Sequence, residues 1–244
     1  MSFSDEEVER YARHLVLREI GGPGQQRLKA ARVVIVGAGG LGAPAALYLA
    51  AAGVGELALV DPDTVALSNL QRQVLYASAD EGRVKVEAAA DRLSALNANV
   101  RVTPIAERLT AANAAALIRG FDLVLDGTDD FATRFAVNAA CVAEGVTLLS
   151  GAIGRWTGQV GVFAGQPCYS CLVPEIPPDA ETCAAVGVVG ALAGVIGSMM
   201  ALEAVKLIAG AGEALSGRLL IYDALAGESR TVRIGADPQC PVCG

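Results

Sequence analysis

Basic residues are what this sequence is short of, and their scarcity removes whole classes of function. Nineteen lysines and arginines stand against twenty-six aspartates and glutamates, a formal net charge of −7 over 244 residues. No basic stripe is available to neutralise phosphates along a backbone, which argues against a nucleic-acid partner. His14 is the single histidine, and no Tyr-x-x-x-Lys pair occurs. A hydride-transfer enzyme needs a proton donor and acceptor at its site, so this poverty counts against a dehydrogenase. The N-terminus (Met-Ser-Phe-Ser-Asp-Glu-Glu) lacks an apolar stretch and therefore a secretory signal. Neither an internal repeat nor a linker divides the chain, and a hydrophobic fraction of 53% suffices for one large core. The exception to the general shortness of apolar runs is 184–202, which carries no charge. It is rich in Ala and Gly and is followed by Glu203 and Lys206 without a basic flank. It is expected to be a helix buried in the core or at a subunit contact rather than a membrane span, in a cytoplasmic protein.

What is present is an alternation of β-branched runs and helical periods. Residues 32–36 (Arg-Val-Val-Ile-Val) have the continuous apolar pattern of a strand buried on both faces of a parallel sheet, and 56–60 repeat it. Further strands are expected at 101–105, 123–125 and 146–149. Helices are expected at 5–17 (capped by Ser4), 41–52, 85–96, 111–118 and 134–144, with a break at Gly21-Gly22-Pro23-Gly24. Beyond Gly151 the strands become shorter (159–163, 219–222, 230–234) around the long apolar helix. The pattern predicts a single α/β domain over 1–244. Its nucleotide-binding part, about 30–150, is a Rossmann-like, doubly wound, mainly parallel sheet, and its C-terminal part, about 151–244, is an antiparallel strand extension.

Gly37-Ala-Gly39-Gly40-Leu-Gly42 fits G-x-G-x-x-G between the first strand and a helix. Glycines there permit positive φ, let backbone N–H groups approach phosphate and aim a helix N-terminus at negative charge. Asp61 closes the next strand, placed to accept hydrogen bonds from a ribose hydroxyl. A nucleotide is expected here, with NAD as the default occupant of such a turn.

Three polar segments change that default. Arg72 and Lys85 can clamp a triphosphate, with Asn69 bonding the same oxygens. Lys85 is one of only three lysines and opens a helix. Thr128-Asp129-Asp130 follows a strand at the carboxyl edge of the sheet, where either carboxylate can hold Mg²⁺. Together these residues form a coherent ATP site.

Cysteine is sparse but paired. Cys168-x-x-Cys171 and Cys240-x-x-Cys243 are two dithiol hooks in turn-rich segments, and two such hooks fit a closed, structural Cys₄ zinc site. Disulfides are the competing reading, disfavoured in a cytoplasmic chain. Cys141 falls on the apolar face of a helix and reads as packing. Cys183 lies on a loop before the apolar helix, whose N-terminus can lower a thiol pKa.

The string Asp-Pro-Asp-Thr-Val-x-Leu-Ser-Asn-Leu-Gln-Arg-Gln (61–73), the glycine turn, Lys85, Gly-Thr-Asp-Asp-x-x-x-Arg (127–134) and the paired hooks resemble the HesA/MoeB/ThiF family over nearly the whole chain, from Arg10-Tyr11-x-Arg13 to the C-terminus. That family is related to ubiquitin-activating enzymes. The resemblance implies a nucleotidyltransferase that uses ATP to adenylylate the C-terminal glycine of a small ubiquitin-like sulfur carrier ending in Gly-Gly. It also implies that Gly40, Asp61, Ser68, Asn69, Leu70, Gln71, Arg72, Lys85 and Asp129 contact ATP, with Asp129 as the magnesium ligand. Arg13 would reach the triphosphate from the partner subunit of a homodimer, the N-terminal helix lying at the dimer contact, and the four hook cysteines would bind Zn²⁺. Cys183 matches a cysteine that links covalently to the carrier in some members. Asp130 stands where the family usually has asparagine, which adds a negative charge beside the phosphates or faces away. Ser150-Gly151-Ala152 through Gly158-Gln159 leans toward molybdopterin (molybdenum cofactor) biosynthesis. The alternatives are the same chemistry on a thiamine-pathway carrier or another target, an NAD-dependent oxidoreductase, and an inactive nucleotide-binding scaffold. The chain ends at the second hook without a rhodanese domain, so a separate sulfur donor is expected.

Overall fold

The structure is a computed structural model and describes residues 2–176 and 187–244. Eight strands form one sheet in the order β3-β2-β1-β4-β5-β6-β7-β8. They are β1 (Arg32–Val36), β2 (Glu56–Val60), β3 (Arg101–Ile105), β4 (Leu123–Asp126), β5 (Thr147–Ile153), β6 (Thr157–Phe163), β7 (Arg218–Asp223) and β8 (Glu228–Arg233). Strands β1 to β5 pair in parallel. Strands β6, β7 and β8 add antiparallel to that sheet. The expected division into a parallel half and an antiparallel extension therefore holds.

Alternation within the buried strands builds two apolar layers. On β1, Val33 and Ile35 face one layer with Leu57, Leu59, Leu125 and Leu149, while Val34 and Val36 face the other with Ala58, Val60, Val124 and Leu148. The first layer is covered by α4 (Gly42–Ala52), α5 (Lys85–Leu96) and the long helix Gly190–Ala209. The second is covered by α6 (Ala114–Ile118) and α7 (Phe131–Glu144). From β1 the chain steps outward through β2 to β3, then returns to the other side of β1 as β4. The carboxyl ends of β1 and β4 thus diverge at a topological switch point, which leaves a crevice there.

Three local expectations are revised. Residues 5–17 form not one helix but two, α1 (Asp5–Arg10) and α2 (Ala12–Leu15). Tyr11 sits at their junction because its ring is buried against Gly53 and its hydroxyl accepts a hydrogen bond from Asn97 Nδ2 at 2.9 Å, which turns the backbone inward. Ser4 caps α1 as expected, its hydroxyl accepting from the Glu7 N–H while the Glu7 carboxylate accepts from the Ser4 N–H. The glycine-proline cluster opens helix α3 (Gly21–Ala30) rather than breaking one. Pro23 occupies the first turn, where no intrahelical donor is lost. The long apolar helix begins at Gly190, with 187–189 non-helical, and runs on to Ala209 through Glu203 and Lys206. Glu203 tolerates burial because its carboxylate accepts from the Leu215 N–H at 2.8 Å and pairs with Lys206. By length and composition this helix can cross a bilayer. Here Leu192, Ala193, Ile196 and Met200 are buried on the sheet.

Candidate nucleotide-binding site

The switch-point crevice is a cleft of about 560 Å³ lined by the glycine turn, the ends of β2 and β4, and the loops that follow them. Two glycines of the turn are sterically required. Gly37 has φ +88° and lies against the Gly127 backbone, while a Cβ on Gly42 would sit 1.8 Å from the Gly37 carbonyl oxygen. Gly37, Gly39 and Gly40 line the cleft. Gly42 is buried behind them as the first residue of α4.

Asp61 and Tyr76 hold the turn in place. The Asp61 carboxylate accepts the Ala38 N–H at 2.8 Å and the Asp63 N–H at 2.9 Å. The Tyr76 hydroxyl donates to the Ala38 carbonyl at 2.7 Å. Burial and the Asp61 charge push the Tyr76 phenol up, so it remains a donor. Asp61 lines the cleft and has lone pairs to spare for a ligand hydroxyl, but its first task is to fix the turn.

Lys85 is buried at the first position of α5, its ammonium 3.0 Å from Asp63 Oδ2 and 3.9 Å from Asp61 Oδ1. A cation at a helix N-terminus opposes the macrodipole, and the two carboxylates offset that cost. Asn69 and Arg72 line the facing wall. Arg72 Nη1 donates to the Ser68 carbonyl at 3.1 Å. The loop that carries them packs on the start of the long helix, where a Cβ on Gly190 would lie 2.1 Å from the Gln71 carbonyl oxygen. Ser68, Leu70 and Gln71 do not line the cleft themselves. Leu70 packs against the core, and Gln71 backs onto Gly190.

Across the cleft, Asp129 is exposed at the rim. Asp130 caps α7, accepting from the backbone N–H groups of Ala132 and Thr133 and from the Thr133 hydroxyl. The Thr133 hydroxyl holds its carboxyl below the usual carboxylate range, helped by those N–H groups. Asp130 lines the cleft as well, so its carboxylate caps its own helix while remaining at the site. Arg134 closes the Gly-Thr-Asp-Asp-x-x-x-Arg string. It is buried, bonding Ser150 Oγ at 3.1 Å and the Thr128 and Gly151 carbonyls, with Asp126 Oδ2 at 3.4 Å. It pins the 127–130 loop to β5. Gln73, the last residue of the 61–73 string, is buried on the cleft wall beside Gly39. The only signal in the sequence for either is its place inside a motif.

Arg13 is exposed on α2 and does not line the cleft of its own chain. Cys183 lies outside the described residues. Cys141 is buried in α7, where burial pushes its thiol up to about 12, as befits packing.

The hooks meet. Cys168, Cys171, Cys240 and Cys243 place their sulfur atoms within 4.8 Å of one another. The separations are 3.6 Å for Cys168–Cys240 and 3.5 Å for Cys171–Cys243. These exceed a disulfide bond length of about 2.05 Å and approach the spacing of roughly 3.8 Å set by a tetrahedral zinc–sulfur shell. The thiols share their protons unequally: burial is outweighed at Cys240 by the N–H groups of Val242 and Cys243, which bring it down to about 7, while burial and the Cys168 and Cys171 thiols push Cys243 up to about 12. The donor set fits a structural metal ion.

The chain is similar to known proteins. The chain is 48% identical over 253 residues to a sulfur carrier protein adenylyltransferase of Thermus thermophilus, covering 100% of this chain and 93% of that protein. It is 48% identical over 244 residues to a molybdopterin-synthase adenylyltransferase of Escherichia coli, covering 99% and 98%. The crystal structure of E. coli MccB matches with a TM-score of 0.85 at 25% identity, covering 100% of this chain and 74% of that one. The model of the ThiF family matches residues 11–242, and with these relatives it shows that the chain belongs to the ThiF family.

Proposed function

We propose that the protein is an ATP-dependent adenylyltransferase that activates the C-terminal glycine carboxylate of a small ubiquitin-like sulfur carrier, in molybdenum cofactor biosynthesis. The observation that carries this reading is the convergence of Arg72, Lys85 and Asn69 on the glycine turn, opposite Asp129. A dinucleotide fold needs the turn and Asp61. It does not need two cations and a rim carboxylate on the same cleft. A carrier carboxylate is already ionised at neutral pH, so no general base is required, consistent with a chain that holds one histidine outside the cleft.

In this reading a carboxylate oxygen attacks the α-phosphorus, the α–β anhydride bond breaks, and pyrophosphate leaves with the electron pair. The products are acyl-adenylate and pyrophosphate. The turn N–H groups, Arg72 and Lys85 hold the phosphates so that two anions can meet, and Asn69 orients them. Asp61 takes the ribose, and Asp129 would hold Mg²⁺, whose charge would offset that of the departing pyrophosphate. The hook cysteines hold Zn²⁺ as a structural clamp between the segment after β6 and the C-terminus.

Arg13 completes the site from a second copy. Its exposure outside its own cleft supports this, as do the exposed apolar side chains Val16 and Leu17 beside it and Leu202 on the long helix. The Thermus relative, equally similar and named for sulfur carriers at large, favours a second reading in which thiamine-pathway carriers are substrates too. ATP–pyrophosphate exchange measured with each carrier separates the two readings.

A further inference from the structure

Two side-chain relays tie the N-terminal arm to the far end of α4, and they bracket Arg13. Helix α4 starts at the glycine turn and ends at Ala52, about 15 Å away at 1.5 Å per residue. The last carbonyls of a helix have no partner within it. Here Asn97 Nδ2 donates to the Ala50 carbonyl at 2.8 Å, and Gln25 Nε2 donates to the Ala52 carbonyl at 2.8 Å. Each amide also holds the arm. Asn97 Nδ2 donates to the Tyr11 hydroxyl at 2.9 Å, and Gln25 Oε1 lies 2.8 Å from His14 Nδ1. Since the Gln25 nitrogen must donate to a carbonyl, its oxygen is the acceptor and His14 Nδ1 carries the proton. Both amides are buried.

Helix α2 is four residues long, too short to persist without such ties. Capping α4 would need only one end of each amide. The other ends fix Tyr11 and His14, which stand on either side of Ala12 and Arg13. Arg13 itself is exposed, and its side chain has no hydrogen bond or ion pair among the described residues. The turn that carries this unpaired cation is thus clamped at both ends. We infer that His14 and Tyr11 are positioning residues: through Gln25 and Asn97 they set the turn that presents Arg13 to the cleft of a second copy. The inference rests on the reading of Arg13 as a residue of that cleft. The arm is anchored at the opposite end of α4 from its own glycine turn, so the chain that holds Arg13 in place and the chain that uses it are different ones. An arginine fixed before assembly loses less freedom when it meets a triphosphate.

Action on a second chain has a signature that a purely structural role lacks. His14→Leu removes the donor, and His14→Asn restores it, because Asn Nδ2 takes the place of His Nδ1. Carrier-dependent pyrophosphate exchange is expected to fall roughly ten- to hundredfold in His14→Leu and to recover in His14→Asn. Tyr11→Phe keeps the ring against Gly53 and removes the acceptor, and a smaller fall is expected. The deciding experiment co-expresses His14→Leu with Lys85→Ala under different tags and purifies the mixed dimer. There the cleft that retains Lys85 receives Arg13 from the chain with an intact His14. Exchange is expected to return to about half the wild-type rate, one of two equivalent clefts. A mixed dimer as inactive as His14→Leu alone would show that His14 serves its own chain and would overturn the inference. So would wild-type exchange in both His14→Leu and Tyr11→Phe. Where His14→Leu does not fold, the mixed dimer made with Tyr11→Phe gives the same reading. If the wild-type protein exchanges pyrophosphate and Arg13→Ala does so equally well, this inference fails while the adenylation reading stands. If the wild-type protein shows no exchange with any carrier, the adenylation reading fails and this inference with it.

Discussion

Arg134 and Asp126 form an ion pair with both side chains buried, Nη1 to Oδ2 3.4 Å, between the end of β4 and the first turns of α7. Asp126 also accepts the Thr128 N–H at 3.0 Å, the Thr128 hydroxyl at 2.6 Å and the Ser150 hydroxyl at 3.0 Å. The pair therefore sets the path of the loop that presents Asp129. Removing one partner strands the other charge in the interior. Arg134→Met is expected to cost about 3–5 kcal/mol in urea unfolding and to weaken ATP binding. Arg134→Lys is expected to rescue little, because a single ammonium cannot reach the separate acceptors that the guanidinium bridges.

Gly42 and Gly22 stand at opposite extremes of steric demand among the glycines. Gly42→Ala places a methyl group inside the van der Waals radius of the Gly37 carbonyl oxygen. It is expected to lose roughly 1–3 kcal/mol of stability together with nucleotide binding. Gly22→Ala, in helix α3 with nothing within 4 Å, is the control. It is expected to be neutral or slightly stabilising in the same melts.

The folded pKa of Asp130 is lowered, so its contribution is present above the ordinary carboxylate value and is lost as pH falls through the folded one. At neutral pH, Asp130→Ala is expected to cost about 1 kcal/mol as a lost helix cap. Asp130→Asn keeps the cap but cannot titrate. Its small deficit relative to wild type at pH 7 is expected to begin shrinking below about pH 4 and to vanish once pH falls past the lowered folded pKa, measured by urea unfolding across that range.

Metal analysis of freshly purified protein is expected to find about one zinc per chain, the capacity of one Cys₄ site. Strong chelation or Cys240→Ser is expected to lower the Tm, since binding energy at such a site is folding energy. Well under one zinc per chain would count against the site.

Much of this architecture is legible in the sequence because its signals are local. Continuous β-branched runs at 32–36 and 56–60 mark doubly buried strands, and the glycine spacing marks the turn between strand and helix. Both hooks are visible as spacing, although only the fold brings Cys168 beside Cys240. What sequence does not show is contact across distance. Tyr11 splits the first helix because of Gly53 and Asn97, far along the chain. Pro23 looks like a breaker until its place in a first turn is known. The role of Arg134 depends on Gly151, and no periodicity links that pair. Ser68, Leu70 and Gln71 belong to the motif through the loop they shape rather than by lining the cleft.

The central claim is that this cleft activates a carrier carboxylate with ATP, and pyrophosphate exchange in the presence of a Gly-Gly-terminated carrier tests it most directly. The account predicts carrier-dependent exchange in the wild-type protein and its loss in Lys85→Ala with weakened ATP binding. No exchange with any carrier, together with unaltered ATP binding by Lys85→Ala, would contradict it.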